Sequence, residues 1–356
     1  MKFRSVFDPF LVIPLIGLSG ISLFILGSTT PKQLTVQLLY YGLGAVGFGI
    51  CFLLNGLFFK RFSLLISIFG IILLIAVLFV PPIRGSHRWI NLGFFLLQPS
   101  EILKPVFIIS LATILSHASE IKPKNIFFCL LYCAPWIALI FRQPDLGNTL
   151  VYITVLISML FVWGIRLIYI VLGGIFTLIL APLGWLLLRE YQRVRLMTFL
   201  NPSTDPSGAG YNAIQAMITI GSGQLLGLGL GKGSQSRLLF LPEYHTDFVF
   251  ASLGEEMGFL GGAVVIFMYA ILLYRMLIIA REAATPFEKY LTVGVFSQLF
   301  IHIIINIGMN MGVVPITGIT LPLISYGGSS IISTLAALGL VASVSSRISP
   351  RPLVIR

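Results

Sequence analysis

The stretch "LPEYHTDFVF", residues 241–250, sets His245, Thr246 and Asp247 at the edge of a long apolar run. An acid at such an edge has two uses. It can accept hydrogen bonds from the first turn of the helix that follows, or, partly withdrawn from water, it can act as a general base. A basic, amide-rich segment leads up to it: Arg193 and Arg195, Asn212 and Gln215, then Lys232, Gln235 and Arg237. Guanidinium groups suit phosphate oxygens, and amides suit hydroxyls. The set fits a substrate with a phosphate anchor and a sugar-like head, and Asp247 is the candidate acid. Glu255 and Glu256 follow, flanked by Gly254 and Gly258; one of this pair reads as a helix–helix partner.

Other polar groups lie inside apolar runs, where ionisable side chains are costly and mark function by default. In "QPSEILKP", 98–105, Glu101 and Lys104 are three apart and share a helix face, so they can neutralise each other or line a polar cavity. In "RQPDLGNTL", 142–150, Asp145 is placed to cap the next helix. Gln298, His302, Asn306 and Asn310 recur every four residues and form one stripe, read as interhelical hydrogen bonding; His302 is also the residue a proton relay would use. In "PITGITLPLISYGGSS", 315–330, Ser325, Gly327 and Gly328 precede the last span, and Gly328 is expected at positive φ in an anion-binding nest. A self-capping re-entrant turn is the alternative.

The glycine run "GLGLGKGSQS", 227–236, is neither a P-loop nor a dinucleotide fingerprint. Leu226 and Gly233 stand where a P-loop needs Gly and Ser or Thr, and Lys232 or Ser234 stands where the dinucleotide pattern needs Gly. The three cysteines, Cys51, Cys129 and Cys133, all lie in apolar runs and give no disulfide framework.

These groups must be held by membrane helices. The chain is 57% hydrophobic and only 10% charged, with a mean hydropathy of +1.00, whereas soluble domains carry about 25% charged residues. Runs of about 20 apolar residues occur at 9–27, 35–58, 62–81, 101–118, 126–142, 147–163, 167–188, 248–274, 289–312 and 323–345. The expected fold is an all-α polytopic membrane protein, one integral domain over 1–356 with ten transmembrane helices and a long extracytoplasmic loop, 189–245, that is not itself a folded domain. With the N-terminus inside, 13 of the 23 basic residues fall on cytoplasmic segments and four on short outer ones. That bias puts both termini in the cytoplasm. It also accounts for a net charge of +11 without any nucleic-acid partner. Within the long loop, "YNAIQAMITIGSGQLLGLGLG" is apolar enough to dip into the bilayer, and dipping backbone must be covered by protein.

Six stretches, in order, carry a resemblance: "HRWINLG" (87–93), "QPSEILK", "RQPDLG", "YQRVRLMTFLNPSTDPSGAGYNAIQ" (191–215), "GSQSRLLFLPEYHTDFVFASLGEEMGFLGG" (233–262) and "PITGITLPLISYGGSS". The sequence resembles the SEDS family, which includes RodA, FtsW and sporulation relatives; the "GSQS…FLPEYHTDF" form is most like the RodA branch. The resemblance implies a peptidoglycan glycosyltransferase of the bacterial cytoplasmic membrane that polymerises lipid II on its outer face. It serves cell elongation and rod shape, or, in an FtsW-like protein, the division septum. It implies as partners a class B penicillin-binding protein and other elongation-complex membrane proteins.

By the same resemblance the key acid falls on Asp247, a conserved arginine on Arg195 and a cavity pair on Glu101 and Lys104. Asp247 becomes the base on the acceptor hydroxyl. Arg195, with Lys232 or a divalent cation (Mg or Mn) that has no assigned protein ligands, stabilises the departing diphosphate. Gln235, His245, Ser325, Gly327 and Gly328 complete the expected substrate contacts. A lipid II flippase and a non-catalytic scaffold are the rival readings.

Overall fold

The computed structural model describes residues 8–83, 85–93, 95–118, 121–201 and 208–348. Its helices are α1 (Pro9–Thr29), α2 (Pro31–Arg61), α3 (Ser63–Ala76), α4 (Pro99–Ile102), α5 (Lys104–His117), α6 (Pro123–Arg142), α7 (Leu146–Trp163), α8 (Leu167–Leu187), α9 (Glu190–Leu200), α10 (Ala209–Ser222), α11 (Ser234–Arg237), α12 (Val249–Glu282), α13 (Pro286–Asn310) and α14 (Gly328–Ser345). A two-stranded hairpin, β1 (Ile90–Asn91) and β2 (Leu96–Leu97), precedes α4.

Helix starts follow local chemistry. Proline occupies the first turn of α1, α2, α4, α5, α6 and α13, where its missing N–H costs nothing. Asp8 caps α1, and Asp145 caps α7 by accepting from the Asn148 N–H at 3.1 Å. Thr285 and Glu288 form a reciprocal capping box on α13.

Each of the ten apolar segments contains a helix among the described residues, and seven of the helices are long and apolar enough to cross a membrane. The chain is an all-α, multi-pass membrane protein. At its centre α13 packs against α5, α7, α12 and α14. Along α14, α2 lies close enough for backbone contact: a Cβ on Gly339 would stand 2.4 Å from the Phe48 carbonyl. Where lipid supplies no hydrophobic drive between helices, such small-residue contacts hold them together.

The segment 189–245 joins α8 to α12. It carries α9, α10 and α11, and α10 packs along α12. The glycine run that follows α10 pairs with α12 where that helix breaks, at Gly258 (φ 65°, ψ −165°). Leu228 N–H donates to the Glu255 carbonyl (2.9 Å) and Gly229 N–H to that of Glu256 (3.1 Å). In return Phe259 and Leu260 donate to the carbonyls of Gln224 (2.8 Å) and Leu225 (3.2 Å). The break exposes α12 backbone groups, and the loop satisfies them, as a membrane setting demands. A Cβ on Gly223 would sit 1.8 Å from the Gly254 carbonyl oxygen, and one on Gly227 2.2 Å from that of Glu256. The glycines therefore serve backbone-to-backbone approach.

Candidate active site

Asp247 is half-buried, two residues before α12. The N-cap position of α12 is Phe248, with no side-chain cap bond. The first turn is capped from α13 instead: Asn310 Oδ1 accepts from the Ala251 N–H at 3.1 Å. That first-turn N–H is thus satisfied by a neighbouring helix.

The polar stripe of α13 fixes the Asp247 backbone. Asn306 Nδ2 donates to the carbonyls of Asp247 (2.9 Å) and Ile319 (2.7 Å), and Asn310 Nδ2 donates to the Asp247 carbonyl (3.1 Å). Two amides thus tie the acid to the loop between α13 and α14. Within that loop Gly318 has φ +76°, and a Cβ there would lie 3.6 Å from Asp247 Oδ2 and 3.8 Å from Arg195 Nη1. The carboxylate and the guanidinium converge on this one glycine. Arg195 also donates through Nη1 to the Ile316 carbonyl at 3.4 Å and lies over the Tyr191 ring at 5.7 Å.

Two of the quoted stretches position α9, which carries Arg195. Arg88 donates to the Gln143 carbonyl (3.1 Å), to the Pro144 carbonyl and to the Tyr191 hydroxyl (2.7 Å). Tyr191 and Gln192 in turn donate to the Pro144 carbonyl, at 2.5 and 3.1 Å. The turn before α7 is thus the anchor of α9.

Beneath the loop is a buried polar triad. Lys104 Nζ donates to Glu101 Oε1 (2.6 Å) and to His302 Nε2 (2.7 Å), and His302 Nδ1 donates to the Thr320 carbonyl (3.1 Å). Lys104 and His302 are each 2% exposed and Glu101 7%. Paired in this way the charges are tolerable in a bundle interior, and the triad holds the loop two residues beyond Gly318.

The remaining expected site residues are spread around this centre. The His245 carbonyl accepts from the Tyr326 N–H (2.8 Å), and the His245 ring packs edge-on against Tyr326 with Gln33 Nε2 at 3.4 Å. Ser325 is buried; its hydroxyl donates to the Thr246 carbonyl (2.6 Å) and accepts from the Leu321 N–H (2.8 Å). Gln235 accepts from the Gln215 amide. Lys232 is exposed on the glycine run, with its stem near Gly229. The segment 202–207, inside one of the quoted stretches, lies outside the described residues.

The positive φ expected at Gly328 is not observed. Gly327 is extended (φ 170°) and Gly328 is buried in the first turn of α14, without a positive φ. A Cβ on Gly328 would meet the Tyr40 ring at 2.7 Å. Glycine is needed there to admit an aromatic ring. Ser329 accepts from the Gln98 N–H (2.9 Å), and Ser330 pairs with Thr320 (2.8 Å). The glycine that matters at the acid is Gly318, in the same motif. Its signal was a lone glycine between Pro315 and Pro322.

Glu255 and Glu256 both serve the loop. Glu255, fully buried, accepts from the N–H groups of Gln235 (2.8 Å) and Ser236 (3.1 Å) and from the Ser236 hydroxyl (2.8 Å). Glu256 accepts from the Gly231 N–H (3.0 Å) and from Ser28. Among the described residues no three His, Cys, Asp or Glu side chains converge as a metal cage.

The FTSW_RODA_SPOVE family of cell cycle proteins matches residues 7–349. The chain belongs to this family. It is 37% identical to stage V sporulation protein E of Bacillus subtilis, over 87% of this chain and 86% of that one. It is 35% identical to peptidoglycan glycosyltransferase MrdB of Escherichia coli, over 95% and 93%. Among solved structures it is similar to one described as showing structural coordination of polymerization and crosslinking by a peptidoglycan synthase complex. The TM-score there is 0.84 at 30% identity, covering 96% of this chain and 98% of that one. It is likewise similar to the rod shape determining protein RodA of Thermus thermophilus, with a TM-score of 0.74 at 27% identity, covering 98% and 100%. Relatives from the sporulation, MrdB and FtsW branches all match across most of the chain, so the family is fixed and the branch is not.

Proposed function

We propose that this FTSW_RODA_SPOVE family member is a peptidoglycan glycosyltransferase. It polymerises lipid II at the outer face of the cytoplasmic membrane, with both termini in the cytoplasm. The observation that carries the reading is the convergence of Asp247 Oδ2 and Arg195 Nη1 on Gly318, at the membrane edge of α12. Asp247 takes the proton of the GlcNAc 4-hydroxyl of the incoming lipid II. The oxygen bonds to C1 of the growing chain as the bond from C1 to the diphosphate breaks, and undecaprenyl diphosphate leaves. Arg195 stabilises the charge that gathers on the leaving diphosphate. Because Asn306 and Asn310 hold the Asp247 backbone, the carboxylate is fixed before substrate arrives.

The product is a linear glycan, so crosslinking needs a second enzyme. The peptidoglycan synthase complex among the similar structures supports a class B penicillin-binding protein as that partner. Elongation is the cellular role assigned here, on the RodA-like form of residues 233–247. The purified chain with labelled lipid II tests the activity. Glycan polymer is the expected product. Transfer of lipid between leaflets without polymer would make the protein a flippase, and neither would make it a scaffold.

A further inference from the structure

A cavity of about 470 Å³ opens between α3, α5 and α6, remote from Asp247. It lies at the opposite end of the bundle: α5 begins at Lys104, bonded to His302 under the active-site loop, and ends at His117 on the cavity wall. Fourteen helical residues separate the two ends by about 20 Å. The cavity belongs to a different leaflet from the one the proposed glycosyl transfer uses.

Its floor is polar. Ser63, Ser67, Ser110, Thr113, Asn125 and Tyr132 line it, and the three serines are nearly inaccessible. Ser67 and Tyr132 share a hydrogen bond of 2.5 Å, and Ser110 donates to the Ser63 carbonyl at 3.3 Å. These hydroxyls are satisfied within the protein, Thr113 by the Ile109 carbonyl at 2.8 Å, and each oxygen keeps acceptor capacity for a polar guest. Apolar side chains, Leu64 and Phe128, flank the opening and are exposed.

Charge selects the guest. Lys124 Nζ lies 5.8 Å from the centre of the Phe128 ring, and the Arg61 guanidinium 5.9 Å from that of Phe62, which directly precedes Ser63. No acid is among the described residues that line the cavity. The starts of α3 and α6 lie at this mouth, and neither has a side-chain cap bond, so both add partial positive charge, while the end of α5 at His117 adds partial negative charge. Basic pockets between membrane helices on one leaflet are suited to anionic headgroups.

We propose that this cavity is a binding site for the headgroup of an anionic phospholipid. The phosphate sits between Lys124 and Arg61, glycerol hydroxyls meet the serine floor, and the acyl chains run along Leu64 and Phe128.

The test is native mass spectrometry of the full chain in detergent, titrated with phosphatidylglycerol or with phosphatidylcholine. Phosphatidylglycerol should be retained at least about tenfold more tightly, a difference of about 1.4 kcal/mol. Lys124→Glu should reduce its binding to the phosphatidylcholine level. Lys289→Glu, the same charge change at an exposed site on α13, should leave it intact. Ser110→Leu, which fills the floor, should act as Lys124→Glu does; if it fails to fold, the two lysine variants decide the matter. Equal retention of the two lipids, or equal loss in both lysine variants, would overturn the site. Displacement of the lipid by millimolar inorganic phosphate would show a free-anion site and overturn the lipid assignment.

Discussion

Asp247 and Glu255 lie eight residues apart on the same stretch of chain and have opposite surroundings. Glu255 is fully buried, and its two oxygens accept from two backbone N–H groups and a hydroxyl of the segment that contains α11. Asp247 is half-buried; its carboxylate and the Arg195 guanidinium both lie near Gly318, and Asn306 and Asn310 donate to its backbone carbonyl. The contrast shows how a membrane enzyme can separate two uses of an acid. One is spent on loop backbone that bilayer water cannot serve. The other is held by its main chain, and its carboxylate lies beside Gly318. Glu256 falls with Glu255, and the Glu243 carboxylate accepts from the Thr246 hydroxyl. The rival acids therefore have structural tasks.

Variants that break the structural side of this contrast should differ in severity. Gly223→Val comes first, since even a Cβ would lie 1.8 Å from the Gly254 carbonyl oxygen. The glycine run would be forced off α12, and folded protein should be lost, as read by a monodisperse peak in fluorescence-detected size exclusion. Glu255→Gln comes second. A neutral amide cannot serve the same three donors as well, and charge-assisted bonds are worth about 1.5–3 kcal/mol each. Thermal unfolding should show a clear loss of stability, while polymerisation per folded molecule falls much less than for loss of the base. Gly328→Ala is the mildest, at about 1–3 kcal/mol of overpacking against Tyr40. Its signature is recovery of the melting temperature when Tyr40→Leu is added, with lipid II use per folded molecule unchanged. Weakened lipid II use in the rescued pair would restore the anion nest at "SYGGSS".

Much of this was legible in the sequence, for reasons the residues make plain. The ten apolar segments declare themselves by length, Asp145 by standing before a helix, and the α13 stripe by its four-residue spacing. The edge position of Asp247 shows where apolar chain begins. The stripe's task did not show, because spacing gives a face and not the neighbour it meets; Asn306 and Asn310 hold a carbonyl 59 and 63 residues away. The pairing of the glycine run with broken α12 left no side-chain pattern, since both partners are backbone. Gly318 and Gly328 belong to one motif. Sequence alone favoured the pair at 327–328, whereas φ and close contact separate their roles: one turns the loop beside the acid, and the other makes room for Tyr40.

The central claim is that Asp247 supplies a base and not a support. The most direct measurement is glycan polymer formed from lipid II by purified Asp247→Asn, with thermal unfolding and partner binding followed on the same sample. Asparagine keeps the size and the main-chain contacts to Asn306 and Asn310, and removes only the proton acceptor. The account predicts unchanged unfolding and partner binding, with polymerisation reduced by about 10²–10⁴-fold, the usual worth of a general base. Native-rate polymerisation by the folded variant would contradict it.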